Sequence, residues 1–363
     1  MSTTRRIFLG AAAASLAASA TASAATGQAA GVVINGNLVL PMDTEKPLDQ
    51  EARDLIKASG LTAAKLTIGG SGGETRAQTA ASIADIDKAV ALNPDLYLKV
   101  ASVADFARAR ASGRLGIIYS FEAAEMLEGD LAAIDQFRAA GVLVMGLSYN
   151  RTTPFASGTM SSPPTGLTDL GRRAVERMNA KGVTIDVSHS DEPSSLGAIA
   201  ASSKPVLITH AGCAAVHAHP RNKSDRLMKA LAERGGVMGI YELSYLTTAP
   251  AQPSLDVYFA HLAHALKVCG EDHVGIGSDA LLWPFDTSPE SMAEWNKSLE
   301  ERKAAGVAAP GEGPPPFVTG LNRADRCAVI ADELRRRGYS GRVVDKVLGG
   351  NFQRVFAETW TGL

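Results

Sequence analysis

Four residues stand out by type and by place: Glu122, His189, His210 and Asp279. Each comes just after a short β-type apolar run, at 115–120, 183–188, 205–209 and 274–278. Carboxylates and imidazoles are the usual donors to zinc or a related divalent ion. A single histidine at the end of a strand is most often a hydrogen-bonded structural residue. Four such groups at four strand ends are a different observation, because barrel enzymes gather their chemistry where the C-terminal strand ends converge. The chemistry this set points to is that of a bound metal ion with a carboxylate beside it.

The elements that must position these residues repeat along the chain. Eight β-type runs are predicted, at 32–40, 63–68, 115–120, 142–147, 183–188, 205–209, 236–241 and 274–278. Helical patterns at 80–92, 131–139, 169–181 and 225–234 lie between them. Strands alternating with helices imply parallel βα units, and eight is the number that closes a (β/α)8 barrel. An open doubly wound sheet would want a Gly-rich phosphate loop after its first strand. The stretch Ile34-Asn35-Gly36-Asn37 does not supply one. The least regular region, 281–317, combines a helix predicted over 289–303, with Ser288 as its cap and Pro289 at its first position, and a run rich in proline and glycine at 308–316. In a barrel it would lie over the mouth, as a lid or as a surface loop. Closing helices are predicted at 324–337 and 343–359.

Several motifs are similar to those of the membrane (renal-type) dipeptidase family. Asp186-Val187-Ser188-His189 followed by Pro205-Val206-Leu207-Ile208-Thr209-His210 resembles its two-histidine block. The likeness continues through His219-Pro220-Arg221-Asn222, Glu233-Arg234-Gly235-Gly236-Val237, His273-Val274-Gly275-Ile276-Gly277-Ser278-Asp279 and Leu348-Gly349-Gly350-Asn351-Phe352. The resemblance implies an amidohydrolase-like barrel with Glu122, His189 and His210 as metal ligands. It implies Asp279 as the group that handles the proton, and Arg221 as the anchor of a substrate carboxylate, for which a guanidinium fork is suited. It also suggests a homodimer.

The departures from that pattern matter as much. The family opens with a His-x-Asp motif that serves a first metal; here Asn37 and Val39 stand in those places, and no histidine precedes His189. The family's substrate-binding histidine after strand four is replaced by Tyr149. Glu122, His189 and His210 still make a three-ligand set with an open position, so one zinc ion is expected rather than two. Three functions follow: a metal-dependent hydrolase of a dipeptide or similar small amide; a different metal-assisted reaction (hydrolysis, elimination or isomerisation) on another small acid; or a non-catalytic ligand-binding relative. Retention of four site residues together counts against the last. Tyr149 counts against unchanged dipeptidase chemistry.

The ends and the composition set the remaining expectations. Arg5-Arg6 before an Ala-rich apolar stretch, with Ala22-Ser23-Ala24 as a cleavage site, reads as a twin-arginine-type signal over residues 1–24, hence a periplasmic or secreted protein. The apolar stretch is too short to span a bilayer, and no integral span is expected in the mature chain. Removing the signal leaves about 335 residues, here read as one barrel domain over 31–363. With 45% hydrophobic residues, a large core is feasible; a formal charge of −2 argues against nucleic acid or an anionic membrane surface. Cys213, Cys269 and Cys327 lack metal-type spacing and read as thiols. His217, His261, His264 and His273 are expected at the surface or in supporting roles.

Overall fold

A computed structural model describes residues 31–71, 73–306 and 308–361. The expected signal over residues 1–24 lies outside them. Eight parallel strands form the barrel: β1 (Ile34–Asn35), β2 (Ala63–Gly69), β3 (Leu115–Phe121), β4 (Val142–Gly146), β5 (Thr184–Asp186), β6 (Leu207–Ala211), β7 (Val237–Ile240) and β8 (Val274–Ile276). Each pairs with the next, and Asn35 opposite Ile276 closes the ring. The (β/α)8 class read from the alternating pattern is the observed one. Helices such as Arg76–Leu92, Asp169–Ala180 and Asp225–Glu233 cover the outside, each started by a Thr or Ser cap accepting from the third backbone N–H. No described helix is long and apolar enough to cross a membrane.

The structure departs from the predicted elements at three places, each with a local cause. The run 32–40 is not one strand. It breaks after Asn35, because Gly36 lies so close to the Thr209 carbonyl and the Phe352 ring that a Cβ there would sit 2.7 and 2.6 Å from them. The chain then turns out of the barrel, and Leu38–Val39 pairs with Ala280–Leu281 in a small parallel ribbon above β1 and β8. A further strand, Tyr97–Lys99, lies beside β3; three residues are too few for a periodic signal. The closing helix predicted over 343–359 is interrupted at Lys346–Gly350, where Gly349 packs against the backbone of Val32 and Ile34.

The barrel interior is not wholly apolar. Lys65 of β2 and Asp186 of β5 are buried inside it, with Thr209 of β6. Barrel interiors are ordinarily filled by branched aliphatic side chains, so these polar groups form a floor beneath the strand ends.

Candidate metal centre at the barrel mouth

Glu122 directly follows β3, and His210 lies within β6. His189 and Asp279 each stand three residues beyond their strands, β5 and β8. The loop that carries His189 is shaped by Asp186, whose carboxylate accepts from the Ser188 backbone N–H at 3.0 Å, the Ser188 hydroxyl at 2.5 Å and the Thr209 hydroxyl at 2.5 Å. The ribbon above β1 and β8 sets Asp279 beside Asn37, whose carbonyl accepts the Asp279 backbone N–H at 2.8 Å. Asp279 takes φ 52°, a left-handed conformation that Asp tolerates better than most side chains. Such backbone concentrates at sites where geometry is imposed by function.

Ligand atoms of Glu122, His189 and His210 all lie within 4.8 Å of one another, and all three residues are buried. The two Nε2 atoms are 2.9 Å apart, and each is 3.9 Å from Glu122 Oε1. The supporting hydrogen bonds decide which imidazole nitrogen carries the proton. The Thr209 hydroxyl gives its hydrogen to Asp186, so its 2.9 Å contact with His210 Nδ1 must be a bond donated by the imidazole. His189 Nδ1 donates to the Asn150 side-chain carbonyl at 3.1 Å. Both Nε2 atoms are therefore unprotonated. Burial first, and the Arg221 guanidinium next, hold both imidazoles well below the usual histidine range, so they are neutral. Neutral, oriented imidazoles with a carboxylate nearby suit a divalent ion.

A first ion at the other position does not fit. Val39 is 41% exposed and stands on the outer ribbon. Asn37 Nδ2 donates to Glu122 Oε1 at 3.2 Å and to Asp279 Oδ1 at 2.8 Å, so an N–H donor lies between the two carboxylates. Asp279 is drawn toward neutrality: burial, then the Glu122 carboxylate, push its pKa up to about 7.

Arg221 and Tyr149 also reach the centre. Arg221 is buried, donating to the Ser188 carbonyl and, at 3.1 Å, to His189 Nε2. The Tyr149 ring stacks on His189 with centroids 4.2 Å apart. Of the remaining histidines, His264 pairs with Asp225 and His273 Nδ1 bonds the Gly236 carbonyl. His261 departs from a surface reading, being fully buried and accepting from the Cys213 backbone N–H. The three cysteines are buried free thiols.

The region 281–317 reaches the mouth. Its helix runs Pro289–Ala304 with the Ser288 cap in place. Glu312 is gripped by Arg302 through both side-chain ends, accepts from Tyr245 at 2.9 Å and from the Ala309 backbone N–H at 3.0 Å. Pro310 accepts from His219, which stacks on Tyr245. The loop is thus tied to segments following β6 and β7. Glu312→Ala removes the common acceptor of three donors; limited proteolysis is expected to cut the 305–317 segment faster than in the parent protein, with ion content unchanged. Equal cleavage rates would show that Glu312 does not hold the loop.

Fold and centre together define a (β/α)8 barrel of the metal-dependent hydrolase type. The model of the membrane dipeptidase family, peptidase family M19, matches residues 41–301, and the chain belongs to that family. It is 29% identical over 271 residues to an uncharacterized protein in the pqqA 5′ region of Klebsiella pneumoniae, covering 71% of this chain and 88% of that one. It is 28% identical over 246 residues to the dipeptidase verJ of Clonostachys rogersoniana, a match covering 67% of this chain and 55% of that protein. The chain thus spans only about half the length of that dipeptidase. Among solved structures, an amidohydrolase from Pseudomonas aeruginosa superposes with a TM-score of 0.76 at 26% identity, over 92% of this chain and 98% of that one.

The residues that sequence reasoning missed are Lys65, Thr67, Asn150, Asp186 and Thr209 as supporting groups. A signal existed for two of them: Lys65 and Thr67 are polar residues at alternate positions of an otherwise apolar strand, which places both on one face.

Proposed function

We propose that this protein hydrolyses a dipeptide or similar small amide with one zinc ion held by Glu122, His189 and His210. The observation that supports this reading best is the convergence of three donors: two unprotonated Nε2 atoms 2.9 Å apart, each 3.9 Å from Glu122 Oε1. A zinc ion there would supply a Lewis acid for the scissile carbonyl and lower the pKa of water.

The chain's own residues supply the rest. Asp279 Oδ2, 3.9 Å from His210 Nε2, is placed to accept a proton from the attacking water and return it to the leaving amine. The Arg221 guanidinium pairs with a substrate carboxylate by exchanging its bond to the Ser188 carbonyl. Tyr149 covers the outer face of His189, and the loop anchored by Glu312 limits water above the centre. A second reading, another one-ion reaction on a different small acid, is favoured by Tyr149 standing where the family pattern has a histidine.

Metal analysis of the purified protein should give about one tightly held ion per chain. A panel of L-aminoacyl dipeptides, including partners with a C-terminal D-residue, should contain a substrate. Turnover of none of them with the ion bound removes the amide reading in favour of the second one. A protein that binds no ion contradicts both.

A further inference from the structure

Lys65 lies in the middle of β2 with its side chain wholly buried. Burying an ammonium is costly, and an apolar side chain of like volume would serve packing better. Its contacts show what it does. Nζ donates to Asn37 Oδ1 at 2.9 Å and to Thr67 Oγ1 at 3.4 Å, and lies 4.0 Å from Asp186 Oδ2. The Thr67 hydroxyl lies 3.1 Å from Asn37 Oδ1 and 3.3 Å from Glu122 Oε1, and its one hydrogen can go to either. The ammonium, which can only donate, on the amide oxygen fixes the orientation of the Asn37 side chain. Its NH2 group must then point the other way, between Glu122 and Asp279. Two carboxylates sharing a site repel unless a positive group lies between them.

We propose that Lys65 and Asn37 form an internal cationic unit that takes the place of a second metal ion. Lys65 supplies the charge, and the Asn37 amide delivers its polarity to the two carboxylates. Lys65 is a positioning residue: it touches neither the ligand nitrogens nor the substrate. The unit makes a single ion sufficient, so the inference rests on the one-ion reading above.

Two variants of the full chain, titrated with zinc alone in competition with a chromophoric chelator, test it. Lys65→Met keeps side-chain length but removes a positive charge close to the ion, so zinc should bind roughly tenfold tighter or more. A residue needed only for packing would give unchanged or weaker binding, which overturns the proposal. Asn37→Asp replaces the donor by a third carboxylate beside Glu122 and Asp279. It should raise the zinc content at saturation from about one to about two ions per chain; a content that stays at one also overturns it. If Lys65→Met does not fold, the Asn37→Asp titration decides alone. Two ions in the parent protein would refute the internal cation and leave the hydrolase reading standing. Absence of dipeptide turnover leaves both titrations intact.

Discussion

Replacing His210 by alanine is expected to abolish tight zinc retention and activity together while leaving a folded barrel. Three converging ligands are the minimum of a catalytic zinc site, and two leave the ion to exchange with solvent. After dialysis against a weak chelator, the His210→Ala protein should carry well under a tenth of the zinc held by the parent, an estimate that follows from losing one of three ligands. The fold should tolerate the change better than burial alone suggests. The imidazole is neutral, with burial and Arg221 holding it well below the usual histidine range, so its removal strands no buried charge, and Thr209 remains bonded to Asp186 without it. Circular dichroism should therefore match the parent protein, with a thermal midpoint lowered by only a few degrees relative to the metal-free parent. Full zinc content in the variant would show that the ion sits elsewhere and would sink the ligand assignment.

The barrel was legible because its strands are short apolar runs repeated eight times, and parallel strands buried on both faces leave that mark. The break after Asn35 was not. Nothing in Ile34-Asn35-Gly36-Asn37 says that a carbonyl from β6 and a ring from the closing helix will press on Gly36. The convergence of the candidate residues was legible for the same reason as the barrel: Glu122, His189, His210 and Asp279 occupy strand ends, and strand ends meet.

The groups that tune the set are harder to read, since their partners are distant in sequence. Asn150 lies 39 residues from His189, and Lys65 lies 28 from Asn37. Each is ordinary in its own segment and acquires a role only when neighbouring strands, β4 with β5 and β1 with β2, bring partners together. Asn37 shows the limit well. Read along the chain it is a missing histidine; read in space it is a donor between two carboxylates.

Asp279→Asn should separate chemistry from ion binding. The change keeps shape, and Asn tolerates the left-handed backbone at this position as well as Asp does. The amide oxygen can still accept from Asn37, so the local hydrogen bonds survive. Turnover should fall by roughly 10²–10⁴-fold, the usual contribution of a general acid–base group, with about one zinc ion retained per chain. In the metal-free protein the same substitution should raise stability. The folded-state pKa of Asp279 is about 7 against an ordinary 3.8, so between those values the folded state holds a proton that the unfolded state has released. Stability from this group therefore falls as pH rises through that window and is lowest above pH 7. Asn cannot ionise and escapes the loss. The metal-free variant should melt higher than the metal-free parent at pH 8, and the gap should narrow as pH is lowered toward 5. A gap that is absent or reversed at pH 8 would mean that the Asp279 carboxylate is stabilised, not strained, before an ion arrives. Its role as the proton carrier would then lose its physical basis.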